Sequence, residues 1–275
     1  MKEMNILQKN FFRILRSGAF NDNEAIEPMS PFKWRRLFQM VEAQGVISVF
    51  ALGVNNHTQD EGLNLPPDLI DSVKKKLEEN DNRPKPFTKD EIKMTNRILN
   101  HKLRTLIKKE INDIDSSMET VDLLEIIIFN VNHMLTAGIS LDGIIRLGRY
   151  LRIRGDKVDF VKLDQWLEDI HLERMAQLQG SILISVFGFE QNELPFVHKF
   201  EPEAFDLTIR SISNLAKDTA EEWNFRQSKS GFVKNNPTVL RRNVRRSVRY
   251  FSYAPLETTS SFLTNLGKSL SEIEE

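Results

Sequence analysis

Apolar residues recur at three- and four-residue steps along almost the whole of this 275-residue chain. That spacing fits one face of an α-helix and does not fit the two-residue alternation of a half-buried strand. Ile92, Leu99, Leu103, Ile107 and Ile111 give the clearest stripe. The one run that reads as a strand, SVFGF at 185–189, has no convincing second strand to pair with. The chain is therefore expected to be all-α: a multi-helix bundle of amphipathic helices with short loops and a basic C-terminal helical tail.

Local punctuation supports this. Ile6, Phe11, Ile14, Leu15 and Phe20 mark a first helix. Ser30-Pro31 offers an N-cap followed by proline at the first helical position, where its missing N–H is harmless. Trp34, Leu37, Phe38, Val41 and, past Gly45, Val49 and Leu52 continue the helical spacing. Pro66-Pro67 opens a helix bearing Leu69, Ile70, Val73 and Leu77, and the polar run ENDNRPKPF at 79–87 is the best hinge candidate. Thr88 with Glu91, and Ser116 with Glu119, have the capping-box spacing. Four successive apolar positions, Ile126 to Phe129, imply a helix buried on most sides. Gly138 can end that helix in a left-handed conformation, Ser140 can cap the next, and Asp159 caps FVKLDQWLEDI. Breaks at Pro195 and Pro202 precede a helix over roughly 204–224. The organisation expected is a helical domain over 1–225, comprising N-terminal helices 1–87, a long helix 88–113 and a C-terminal module 116–225. A basic extension, 226–275, packs on this body.

Composition removes several classes of function. With no cysteine there is no disulfide framework, thiolate metal site or cysteine nucleophile. The opening MKEMNILQKNFFRILRSGAF is interrupted by charges and lacks the apolar core of a signal peptide. Apolar runs such as 183–189 are too short to cross a bilayer, so no membrane span and a cytoplasmic location are expected. The net charge of −1 gives no global attraction to polyanions.

The stretch NVNHMLTAGISLDGIIRLGRYLRIRGDKVDFVKLDQWLEDIHLERM, the continuation FGFEQNELPF and the tail RSVRYFSYAPLE resemble the C-terminal helical part of a bacterial family of uncharacterised nucleotidyltransferases. FFRILRSGAF and WRRLFQMVEAQGVISVFALGV resemble that family's leading helices. The resemblance implies a mixed α/β catalytic core between the two helical parts, carrying an acidic D-x-D for a divalent metal. It also implies an association with surface polysaccharide synthesis. Paired carboxylates suit nucleotidyl transfer because Mg²⁺ prefers oxygen ligands and bridges to phosphate. This chain departs from the family at that core. No glycine occurs between Gly62 and Gly138, so a glycine-rich phosphate loop is missing there. The D-x-D that does occur, Asp113-Ile114-Asp115, sits between a helix end and a capping box, a setting that suits solvated loop carboxylates better than metal ligands. Gly180-Ser181 has no D-x-D after it.

None of His57, His101, His133, His171 and His198 pairs at metal-ligand spacing, and His133 reads as a structural group within the helical core. No catalytic residue, metal site or cofactor is assigned, and Asp113 and Asp115 remain the weak metal candidates. The strongest asymmetry is charge. Residues 223–256 hold eight basic and no acidic side chains, so the rest of the chain carries −9. Arg241, Arg242, Arg245, Arg246 and Arg249 form adjacent i, i+4 rows beside an apolar row of Leu240, Val244, Val248 and Phe251. Two readings stand: a helix that docks its apolar row on the acidic body as an intramolecular clasp, which the charge balance favours, or a basic surface that touches phosphate or an acidic partner. The function expected is a non-catalytic binding or interaction module with an unknown protein partner. The alternatives are an active nucleotidyltransferase with an unrecognised metal site and a nucleic-acid-binding regulator using the arginine helix.

Overall fold

The computed structural model describes residues 4–79, 92–213 and 244–271. Every regular element among them is helical, and they contain no strand or sheet. The all-α bundle expected from apolar spacing is what forms. In chain order the helices are α1 (Ile6–Phe20), α2 (Pro31–Ala43), α3 (Ile47–Asn56), α4 (Pro67–Glu79), α5 (Arg97–Ile111), α6 (Met118–Thr136), α7 (Leu141–Arg154), α8 (Phe160–Asp169), α9 (Glu173–Phe187), α10 (residues 204–213), α11 (residues 244–250) and α12 (Pro255–Ser271). Short 3-10 turns occur at Gly155–Lys157 and Gln191–Glu193. Among the described residues no helix is long and apolar enough to cross a membrane. The chain divides into two compact units: one gathers residues 4–79 and 209–213, the other residues 92–208 and 244–271.

In the first unit α1 packs chiefly on α3, and two glycines set how closely. A Cβ on Gly18 would lie 1.9 Å from the Val49 carbonyl oxygen, and one on Gly53 would lie 2.0 Å from that of Ile14. Backbone therefore meets backbone at this crossing, where any side chain would force the helices apart. Phe11, Phe12, Ile14, Leu15, Trp34, Leu37 and Phe50 fill the core around it. Leu52 and Ile70, expected on apolar faces, are instead exposed. The α1–α2 connection is held by side-chain amides in place of a sheet partner. Asn10 donates to the Glu27 carbonyl at 2.6 Å and accepts its N–H at 3.1 Å. Asn64 does the same for Met29 and also accepts from the Trp34 indole at 2.9 Å. Asp60 accepts the Ile26 N–H at 3.0 Å and pairs with the buried His57 ring at 2.9 Å.

In the second unit α6 is the central helix, touching α5, α7, α8, α9 and α12. Ile126, Ile127 and Ile128 are all buried, as the run of apolar residues required. Its polar centre is Asn130, which donates to the Gly143 carbonyl on α7 at 3.1 Å and to Gln179 on α9 at 2.9 Å. Gln179 in turn donates to the Ile127 carbonyl at 3.1 Å. A Cβ on Gly143 would sit 2.0 Å from Asn130 Oδ1, so α7 approaches α6 this closely only at glycine. The turn between them forms as its residues suggested. Gly138 has φ +112 and its N–H returns to the His133 carbonyl at 3.0 Å. The His133 ring donates to the Gly138 carbonyl at 2.8 Å, and Ser140 caps α7 by accepting the Gly143 N–H.

Two helix starts differ from expectation. α5 begins at Arg97 and not at 88: Asn96 caps it, accepting the Ile98 and Leu99 N–H groups at 3.0 and 3.1 Å, and Ile92 lies before the helix. Thr88, Glu91 and loop residues 80–87 lie outside the described residues. At α6 the Ser116–Glu119 box does not form. Ser117 takes the cap position, and its N–H goes to the buried Glu110 carboxylate of α5 at 2.7 Å. Lys162 of α8 binds the same oxygen at 2.7 Å, while Glu119 faces Arg154 at 4.0 Å. A tertiary carboxylate has replaced the local cap. The SVFGF run closes α9, and Gly188 ends it in the left-handed conformation.

Gly143→Ala should destabilise the protein by about 1–3 kcal/mol through overpacking, and by less in an Asn130→Ala background, where the opposing amide is gone. A double-mutant cycle by denaturant unfolding measures the coupling. Acid should loosen the first unit. The Arg13 guanidinium holds the Glu24 carboxyl below its ordinary value, and the Ile26 N–H does so for Asp60. Depressed carboxylate pKa values contribute stability that is complete above the unfolded values of about 4 and is lost as pH falls through the folded ones. Thermal midpoints should therefore decline below about pH 4, and the decline should be shallower in Asp60→Asn.

Candidate functional site

The two weak metal candidates lie in the loop joining α5 to α6. Both Asp113 and Asp115 are exposed, and Ile114 between them is 99% exposed. The Asp113 carboxylate accepts the Asp115 N–H at 3.4 Å, and the Asp115 carbonyl accepts from Lys162 at 3.2 Å. This geometry shapes a turn. Among the described residues no group of three or more histidines or carboxylates is placed to hold a metal ion. Gly180 and Ser181 serve packing: a Cβ at Gly180 would meet the Val197 side chain at 2.1 Å, and Ser181 Oγ accepts the Glu201 N–H at 2.8 Å. His198 pairs with Asp164 at 2.8 Å beside a cleft of about 360 Å³ that Glu168, Glu173 and Gln177 also line.

The basic segment is the better developed feature. Arg241, Arg242 and Leu240 lie outside the described residues. Of the others, Arg245 is exposed, and Arg246 and Arg249 are half-buried. The expected docking face is corrected here. Val244, Val248 and Phe251 do not pack on the body; they are 40%, 73% and 52% exposed. The buried residues are Tyr250, Tyr253 and Ala254. Arg246 and Tyr250, four residues apart on one face, set the rotation of α11. The Arg246 guanidinium donates to the Thr136 carbonyl at the C-terminal end of α6, where carbonyls lack helical partners and the helix dipole favours a cation. Burial pushes the Tyr250 phenol up to about 12 against the opposing influence of the Arg249 and Arg246 charges.

The segment is then locked at three further points that sequence reading did not single out. Arg174 of α9 donates to the buried Glu201 carboxylate at 3.1 Å and to the Ser252 carbonyl at 2.7 Å. Its guanidinium stacks over the Tyr253 ring at 4.7 Å. Glu257, buried in the first turn of α12, accepts the Thr95 and Asn96 N–H groups where α5 begins. Asn96 also donates to Ser260 at 3.0 Å. An anion at a helix N-terminus is favourable. Only the spacing of Tyr250, Tyr253 and Ala254, a second apolar row beside the one made by the valines, could have signalled this face in the sequence.

No protein-family model, curated protein or solved structure matches the chain.

Tyr250→Ala should cost about 3–5 kcal/mol, as large buried aromatics do. Val248→Ala should change stability by no more than about 0.5 kcal/mol. Thermal unfolding of the two variants distinguishes this docking face from the valine row.

Proposed function

We propose that the protein is a cytoplasmic, non-catalytic helical binding module related to the flanking helices of the nucleotidyltransferase family it resembles. The observation that carries this reading is the connection from α5 to α6. α5 ends at Ile111 and α6 begins at Met118, and the Glu110 carboxylate spans the gap by accepting the Ser117 N–H. Where the family resemblance implies an α/β core, this chain has a short turn locked at both ends. The placement of its polar groups also supports the reading. Asp113 closes a turn on Asp115, His133 closes the α6–α7 turn, and Ser181 anchors Glu201. What stays unspent is a solvent-facing strip of arginine and apolar side chains on α11, which is a binding feature and not a catalytic one. The resemblance makes surface polysaccharide synthesis the pathway in which such a module would act.

Titration calorimetry with ATP, CTP, GTP and UTP in the presence of Mg²⁺ tests the non-catalytic reading. The expected outcome is no heat of binding at micromolar concentrations. Micromolar binding that disappears in the Asp113→Asn, Asp115→Asn double variant would instead make the loop carboxylates metal ligands and the chain an enzyme.

A further inference from the structure

We infer that the outer face of α11 docks on an anionic lipid surface, with its apolar row entering the headgroup layer and Arg245 meeting lipid phosphate. This rests on the binding-module reading and names the partner of that module.

The geometry comes from the helical period of 3.6 residues. Val244 and Val248 lie on one row, with Phe251 following at a three-residue step. Tyr250, the anchor, lies on the opposite side of the helix with Arg246. The apolar row therefore points away from the protein that holds α11, and its exposure agrees: Val248 is the most exposed of the three and Tyr250 is fully buried. Arg245, which is exposed, flanks the valines on one side, while Arg249, four residues on, is half-buried beside the Tyr250 phenol. Among the described residues no carboxylate forms an ion pair with Arg245.

Charge complementarity selects the class of partner. The surrounding stretch, 223–256, contains no acidic residue and carries +8 within a chain of net −1. A basic segment of this kind is drawn to anionic phosphates. Shape then decides between sources. A helix held on one side can offer a partner only its other side. Here Tyr250, Tyr253, the Arg246 bond to Thr136 and the Arg174 bond to Ser252 already occupy the inner side. The row left open is the apolar one, and a headgroup layer can meet a single exposed face. Nucleic acid would use the arginines but leave Val248 and Phe251 in water, whereas a bilayer takes up both: interfacial helices combine buried apolar area with attraction to anionic headgroups.

The test is co-sedimentation of the full chain with vesicles of phosphatidylcholine alone and of phosphatidylcholine mixed with phosphatidylglycerol. Binding is expected only to the mixed vesicles and should weaken as salt rises. Arg245→Ala should weaken it about fivefold, at about 1 kcal/mol per basic residue. Val248→Asp should weaken it at least about tenfold by opposing insertion of the apolar row. Arg245 and Val248 are both exposed, so unchanged thermal midpoints would separate lost binding from lost folding. The inference is overturned by equal failure to bind either vesicle, or by binding that needs Arg245 but ignores Val248→Asp. In the latter case a salt-sensitive titration with single-stranded RNA would identify a polyanion site. Neither result would touch the non-catalytic reading, which nucleotide calorimetry decides separately.

Discussion

The second unit depends on one buried contact, where the Asn130 amide meets the backbone of Gly143. α6 is apolar on nearly every side, and a helix of that kind can be packed against its neighbours in several rotations at similar cost. A single amide whose N–H groups must find acceptors removes that freedom. Asn130 reaches the Gly143 carbonyl on α7 and Gln179 on α9, and Gln179 returns to the Ile127 carbonyl. Breaking any one link would leave a buried polar group without its partner, which costs more than the bond contributes. Glycine at 143 is the steric complement of this network, since only a residue without Cβ lets α7 close on the amide. The first unit meets the same problem with the reciprocal approach of Gly18 and Gly53, which brings α1 and α3 into backbone contact.

From that fixed centre the C-terminal segment acquires its position. The Arg246 bond to Thr136 uses the free carbonyl end of α6, and the Glu257 carboxylate uses the free N–H end of α5. Both are ends of the same kind: backbone groups that a helix cannot satisfy internally. The segment is thus held by complementary charges on two helix termini, with Tyr250 and Tyr253 supplying buried area between them. Individual exposed ion pairs are weak, about 0–1 kcal/mol, so the aromatic burial carries most of the attachment.

Elements were legible in the sequence wherever they depended on local chemistry. Ser30-Pro31, Asp159, Gly138 and Ser140 each act at the position their side chains indicated, because capping is settled within a few residues. Failures occurred where a distant group took over. Thr88–Glu91 and Ser116–Glu119 have equal capping-box spacing, but α6 is capped from α5 by Glu110, and α5 starts at Asn96 beside the Glu257 carboxylate. Neither Glu110 nor Glu257 carries a local signal of that role. The tail shows the same limit. Both its apolar rows have helical spacing, and only the positions of Thr136 and Arg174 decide which of them faces inward. The candidate site was therefore visible as a charge asymmetry, while its orientation was not.

That orientation places Arg245 among the solvent-facing residues of the segment. A clasp needs only enough cation to complement what it lies on, as Arg246 does at a helix-end carbonyl. Had the valine row docked, the arginine row beside it would have lain along the body, and its charge would have been neutralised there. With the tyrosine row inward, the valines and Arg245 are turned to solvent together. Leaving Val248 and Phe251 in water forgoes about 25 cal/mol for each Å² of apolar surface kept exposed. An arrangement that buries the tyrosines yet keeps this row open has its apolar side chains and Arg245 on the same outward side, the combination that an anionic interface recognises and a purely internal clasp does not require.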